Sequence, residues 1–268
     1  MLETYNIQES ESVYNYFLSS NFYDKVAKKF GGYAYATNKL EYFSKYENQD
    51  PEKVFKDQPL ALGDKEKVVL DIGCGDGKFA FETTNSFKKI TGIDTSVKLL
   101  AIANKKQKEQ NVTNTEFLLQ SAEKTTFEAE TFDILYNRRG PIFYNEYYRI
   151  LKNGGFYLEI GIGQKDTLEL KSIFGSGQGF GKWNLSRSLK DQAEFNKLGF
   201  NIKMAQDFYY SEYYVTREDF DRFLQGVPIF EDYDTEKDKN YFEEYVKKFS
   251  TEKGILLERH RVVYELVK

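Results

Sequence analysis

The sequence predicts an α/β fold, a doubly wound and mainly parallel sheet with helices on both faces. Three observations carry that expectation. The first is VVLDIGCGDGKFA, Val68 to Ala80, an apolar run that breaks into glycines and restarts at helical spacing. The second is ITGIDTS, Ile90 to Ser96, a second apolar run ending on an acid. The third is the alternation that follows, in which short apolar runs take turns with longer segments of helical period.

Taken in order, residues 1 to 60 precede the sheet. Val13, Tyr16, Phe17, Phe22, Tyr23, Val26 and Phe30 recur at helical spacing, and Gly31 and Gly32 end that pattern. Asp50-Pro51 and Pro59 mark turns before the first strand. Lys67 to Asp71 is strand one, and its helix runs from Lys78 to Ser86. Lys88 to Asp94 is strand two. The helix Val97 to Gln110 turns Leu99, Leu100, Ile102 and Ala103 inward. Thr115 to Gln120, Phe132 to Asn137 and Phe156 to Ile162 are strands three to five. Gly161 to Asn184 is a glycine-rich loop with room for a helix over 166–174. Ser188 to Leu198 is a helix and Ile202 to Tyr214 a strand. Helices fill 216–250, opened by a Thr216-x-x-Asp219 cap. Arg261 to Val267 is the last strand.

Composition narrows the classes. The chain has 268 residues and a formal net charge of −4, so nothing sequence-wide favours a nucleic-acid partner. Cys74 is the single cysteine and His260 the single histidine, which removes disulfides and argues against a zinc centre; no metal is expected. The start, MLETYNIQES, lacks a basic-then-apolar signal, and no apolar run approaches spanning length. A cytoplasmic protein with no membrane partner is the expectation.

The glycine turn carries the chemistry. Gly73, Gly75 and Gly77 allow positive φ and bring bare backbone against a ligand. The helix behind them opens with unpaired N–H groups. Asp94, about 20 residues past the turn, is placed to accept from two ribose hydroxyls. A dinucleotide would call for G-x-G-x-x-G, but here the spacing is G-x-G-x-G with Lys78 in the last place. Asp71 and Asp76 sit badly with a pyrophosphate, whereas Asp71 suits a cationic amine.

VLDIGCGDGKFA followed by TGIDTS resembles the first two motifs of the class I S-adenosylmethionine-dependent methyltransferases of small-molecule type. The resemblance implies a Rossmann-like sheet of seven strands in the order 3-2-1-4-5-7-6, with strand seven antiparallel. It implies S-adenosyl-L-methionine as cofactor, with Asp71, Gly73, Cys74 and Gly75 at the methionine portion. Asp94 would hold the ribose, and Thr95 and Ser96 would border the adenine. Relatives place an acid after strand three. Here Ser121 takes that position, with Glu123 two residues later, so Ser121 and Ala122 are expected at the adenine through their backbone. YDKVAKKFGGYAYATN resembles the segment that folds over the cleft, so residues 1–60 are expected as a helical cap. Residues 61–268 would then be the catalytic domain, with an insertion at 216–250. Tyr23, Tyr33 and Tyr35 are candidate lid residues.

Asn137, Arg138, Arg139 and Gly140 follow strand four, where relatives place reacting groups. Asn137 is expected at the cofactor. For the arginines two readings stand: an anionic acceptor, or an ion pair with Glu146 or another acid. With alternation along a strand, one arginine should face the pocket and the other turn away, with Tyr33 and Tyr144 as apolar wall. His260, between Arg259 and Arg261, reads as a solvated strand-edge residue, and Cys74 as packing. No catalytic base is identified. The leading function is methyl transfer to a small molecule. An RNA or protein methyltransferase and a non-catalytic cofactor-binding protein are the alternatives.

Overall fold

The structure is a computed structural model, and it describes residues 20–32, 40–182 and 185–268. The element order is α1 (Ser20–Phe30), β1 (Tyr42–Tyr46), α2 (Pro51–Ala61), β2 (Asp64–Ile72), α3 (Lys78–Thr83), β3 (Phe87–Asp94), α4 (Val97–Glu109) and β4 (Thr115–Leu119). There follow β5 (Phe132–Arg138), α5 (Tyr144–Ile150), β6 (Leu151–Ile162), α6 (Leu168–Phe174), α7 (Arg187–Leu198) and β7 (Asn201–Tyr214). The chain ends with α8 (Arg217–Gly226), α9 (Lys239–Phe249), β8 (Ser250–Thr251) and β9 (Gly254–Val267). Val13, Tyr16, Phe17, Tyr33, Tyr35 and Trp183 lie outside the described residues. Among the described residues no helix is long and apolar enough to cross a membrane.

One mixed sheet runs β1-β7-β9-β6-β5-β2-β3-β4, with β8 paired to β9. Its central strands are mutually parallel, and β9 is antiparallel to both β6 and β7. The seven expected strands therefore lie in the order 3-2-1-4-5-7-6. Among the described residues the sheet has nine strands rather than seven. The first addition is β1, which falls in the segment expected to be wholly helical and pairs antiparallel along β7. Its alternating half-buried and exposed residues carry the period of two that makes a one-sided edge strand.

Helices cover both faces because the strands are apolar on both sides. One cluster joins Val69, Ile90, Ile134, Tyr136, Ile160 and Val263 to Phe55 of α2, Phe79 of α3 and Leu100 of α4. The other joins Leu70, Ile72, Leu135, Tyr157 and Tyr264 to Tyr147 of α5 and Phe195 of α7. A third core lies beyond the carboxyl edge. The last residue of β6, Ile162, pairs with Arg261, yet β9 reaches back to Gly254 and β7 out to Tyr214. That overhang spans roughly 20 Å at the strand rise. Phe220, Phe223 and Leu224 of α8 and Phe242 and Tyr245 of α9 pack on it, against Tyr214, Ile255 and Leu257. The last strand begins seven residues earlier than expected, and Arg259, His260 and Arg261 lie within it rather than at its solvated start. They are buried in the fold by ion pairing.

Candidate functional site

The site begins where β2 ends. Gly73, Gly75 and Gly77 take φ of 67°, 55° and 76°, the left-handed region that favours glycine. The turn is fastened at both sides: Cys74 N–H donates to Ile93 O at 3.0 Å, and Gly77 N–H to Cys74 O at 3.0 Å. Among the described residues, a side chain on Gly75 would meet nothing nearer than Leu99 Cδ1 at 3.9 Å, so that backbone borders open space. On Gly77 it would strike the Phe117 ring at 2.8 Å. Gly75 therefore faces the cleft, and Gly77 is there for packing.

Asp94 closes the turn from β3. One carboxylate oxygen accepts Gly75 N–H at 2.8 Å and the other Ser96 N–H at 2.8 Å. Burial pushes this carboxyl up while those donors pull it down, and burial is the larger effect. Each oxygen keeps acceptor capacity for a hydroxyl. Ser96, not Asp94, is the N-cap of α4. Its hydroxyl accepts from Leu99 N–H at 3.2 Å and donates to Asp24 of α1 at 2.6 Å. The fully buried Ser96 side chain is therefore committed to the cap and to α1, leaving exposed Thr95 toward solvent. Ser121 accepts Glu123 N–H at 3.2 Å, and Ala122 is buried in the core under α5.

Asp71 is the unusual group. It is 2 % exposed, and its Oδ2 has no hydrogen-bond partner among the described residues. Burial pushes its carboxyl up to about 8, with Arg138 opposing and Asp94 assisting. A buried carboxylate without a cation costs several kcal/mol or takes up a proton. An ammonium group delivered by a ligand would satisfy this atom. Cys74, beside it, is buried, and burial drives its thiol well above the usual range, as befits a packing residue.

The tip of β5 departs from expectation in three ways. Asn137 is fully buried and used internally: its Nδ2 donates to Pro141 O at 2.7 Å, and its Oδ1 accepts Gly140 N–H at 2.7 Å. It shapes the turn that packs Gly140 on Gly73 and is not presented to a cofactor. Tyr144 is not a pocket wall either. Its ring lies between Tyr157 and Phe195, and its hydroxyl donates to Glu159. Arg138 and Arg139 do not point apart, because Arg139 adopts φ 60° and breaks strand alternation. Both donate to Glu52, on the first turn of α2, with Arg138 Nε at 3.1 Å. Glu146 pairs with Arg149 instead, at 2.7 Å.

Sequence reasoning missed the groups on the same face of the overhang. Asp166 holds Arg259 at 2.9 Å and Arg261 at 2.7 Å, and Arg259 also meets Glu212 at 2.8 Å. Tyr46 of β1 rests on Tyr210 of β7, centroids 5.2 Å apart. The alternation in YFSKY and YYSEYY was the available signal for these rings. His260 is not solvated: it is fully buried on the opposite face, stacked on Tyr209 at 4.3 Å. Its Nδ1 accepts Lys165 N–H at 3.1 Å, so Nε2 carries the proton toward Asp207 at 2.7 Å.

Comparison with known proteins places this geometry. Residues 69–155 match the profile of the family described as methyltransferase domain, which spans β2 through the start of β6. That stretch is similar to a methyltransferase domain. Over 97 residues it is 36% identical to the demethylmenaquinone methyltransferase of Lactococcus lactis subsp. lactis (strain IL1403). That match covers 32% of this chain and 38% of the relative, so little more than a third of the curated protein is spanned. Among solved structures, a candidate methyltransferase from Bacillus halodurans C-125 superposes with TM-score 0.60 at 20% identity, over 82% of this chain and 99% of that one. The [4+2]-cyclase SpnF superposes with TM-score 0.61 at 16% identity, over 93% and 95%. At these identities both likenesses concern the class I methyltransferase fold alone.

Proposed function

We propose that this chain is an S-adenosylmethionine-dependent methyltransferase acting on a small, anionic acceptor. The observation that carries the reading is Asp71 Oδ2, a buried carboxylate oxygen without a partner among the described residues, beside an open glycine turn. The methionine ammonium of the cofactor fits it, and Asp94 fits the ribose diol. Both the matched family and the curated relative are methyltransferases, which supports the same reading.

When bound, the cofactor supplies an electrophilic methyl group on a sulfonium. The chain's part is to align and enclose. Asp71 and Gly75 orient the methionine end, and Asp94 fixes the ribose. Helix α1, docked on α4 through Asp24, and the helices of 216–250 act as a cap on the carboxyl edge, keeping water from the reacting atoms. Arg138 and Arg139 orient an acidic group of the acceptor, and Tyr46 and Tyr210 offer aromatic wall.

The test is twofold: calorimetry with S-adenosylhomocysteine, then transfer of labelled methyl across a pool of small carboxylates and phosphates. Binding with transfer supports the reading, and absence of binding ends it. Binding without transfer to any member of the pool favours a second reading, a cofactor-binding protein with other chemistry. SpnF, described as a cyclase on the same fold, is the observation that keeps that reading open.

A further inference from the structure

We propose that Arg138 and Arg139, with Arg261 behind them, form a binding site for a carboxylate or phosphate, and that Glu52 occupies this site until the acceptor's anionic group displaces it. Calling that ligand the acceptor rests on the methyltransferase reading; the anion site itself does not.

Four observations carry the proposal. First, one Glu52 carboxylate takes both arginines: one oxygen sits 3.1 Å from both Nε and Nη2 of Arg138, and the other faces Arg139. Each carboxylate oxygen thus meets a guanidinium group, and such charge-assisted hydrogen bonds are what a carboxylate or phosphate ligand would make there. Second, Arg261 is 3 % exposed and its Nε has no hydrogen-bond partner among the described residues. Its charge nonetheless reaches Glu52. Burial works to raise that carboxyl, but Arg139, Arg138 and Arg261 together hold it down to about 2. Third, the cationic wall continues past the pair: Arg261 stands close enough to Arg139 to feel its charge, and Arg259 lies beside Arg261, where Asp166 holds them both. Gathered guanidinium groups attract an anion.

Fourth, Glu52 is able to leave. It stands in the first turn of α2, where Asp50 already caps the helix through Glu52 N–H at 2.9 Å. Its side chain is 32 % exposed, so it can swing into water without unwinding α2. Arg139 is fixed by contrast, its side chain 17 % exposed. Arg139 N–H donates to Ile160 O at 2.8 Å, and its left-handed backbone turns the side chain to the same acid as Arg138. A non-glycine residue at φ 60° is strained, and such strain gathers where a ligand is gripped. Arg138 also acts on Asp71, so the anion site adjoins the ammonium site.

The experiment titrates the full chain with benzoate, with neutral benzamide and with inorganic phosphate, each with and without S-adenosylhomocysteine. In Glu52→Gln the internal competitor is gone, so benzoate should bind about tenfold tighter than to wild type, with benzamide unchanged. The double variant Glu52→Gln/Arg138→Met should lose that gain. Should Glu52→Gln prove poorly folded, melting is the readout, and phosphate should raise its Tm more than that of wild type. Equal or weaker benzoate binding in a folded Glu52→Gln overturns the proposal. So does an equal phosphate shift in both proteins, or a gain that survives Arg138→Met. Wild type that fails to bind S-adenosylhomocysteine overturns the methyltransferase reading alone, since the anion titrations stand without it.

Discussion

Replacing Asp71 by Asn should make the cofactor-free protein more stable above neutral pH and a poorer binder. The carboxyl is held up to about 8 by burial, against a usual 3.8. The native chain therefore keeps a proton that the unfolded chain gives up. The resulting stability is complete below about pH 4 and is lost as pH rises toward 8. Rising from 3.8 to about 8 at 1.36 kcal/mol per pH unit sets an upper bound of ~6 kcal/mol, and relaxation of the surroundings lowers it. An amide at this position cannot ionise, so Asp71→Asn should lack this decline. Urea unfolding at pH 5, 6.5 and 8 reads the difference directly. The stabilities of the two proteins should lie closest at about pH 5 and separate by several kcal/mol at about pH 8.

Binding should report the same group with the opposite sign. An incoming ammonium stabilises the charged carboxylate, so Asp71 must release its proton. With a native value near 8, about 0.9 proton should leave per S-adenosylhomocysteine bound at pH 7. Calorimetry in buffers of different ionisation enthalpy measures that number. In Asp71→Asn the release should vanish and affinity should drop by about 1.5–3 kcal/mol, the worth of a charged hydrogen bond. Equal pH dependence of stability in both proteins, or proton release that survives the substitution, would refute the reasoning.

Asp94→Ala should weaken S-adenosylhomocysteine by about 1–3 kcal/mol in calorimetry, since it removes the proposed ribose acceptor and frees Gly75 N–H. Gly77→Ala should cost about 1–3 kcal/mol in urea unfolding, because its φ is 76° and the new Cβ meets Phe117 at 2.8 Å. Arg187→Met should cost about 3–5 kcal/mol by the same measure, leaving Glu159 and Asp191 buried without their cation. Burial works to raise the Glu146 carboxyl, but Arg149 and Thr125 hold it down to about 2, so it adds stability that is present above about pH 4.5 and lost toward pH 2. Melting temperature followed through that window should therefore fall less steeply in Glu146→Gln.

The fold was legible where the signal is local. Apolar runs such as Val68 to Ile72 and Phe132 to Tyr136 are buried on both faces, and only a central parallel strand or a buried helix has that pattern. Gly77 and Gly199 mark a helix start and a helix end, and the chain adopts αL at both. Elements whose burial depends on distant partners were not legible. Strand β1 is mixed in polarity because one face is solvated, and nothing nearby shows that it pairs with β7. The early half of β9 carries Arg259, His260 and Arg261, which look exposed until Asp166 and Asp207 arrive from elsewhere in the chain.

The same distinction divides the site. The cofactor half lies within one stretch, from Asp71 through the glycine turn to Asp94, so spacing alone places its groups on one edge. The proposed acceptor half is assembled from α2, the β5 tip, the 163–167 loop and the β7–β9 overhang, far apart along the chain. Spacing could not reveal that Glu52 would sit between two consecutive arginines, nor that Arg139 would leave strand geometry to reach it. Alternation is a property of strands, and the expectation that one arginine turns away failed where the strand ends. The residue that decides the point is Arg139, whose left-handed backbone trades conformational strain for a shared acid. Both arginines at that tip consequently act on one anion, Glu52, and in the proposed function a single carboxylate on the acceptor would engage the same pair.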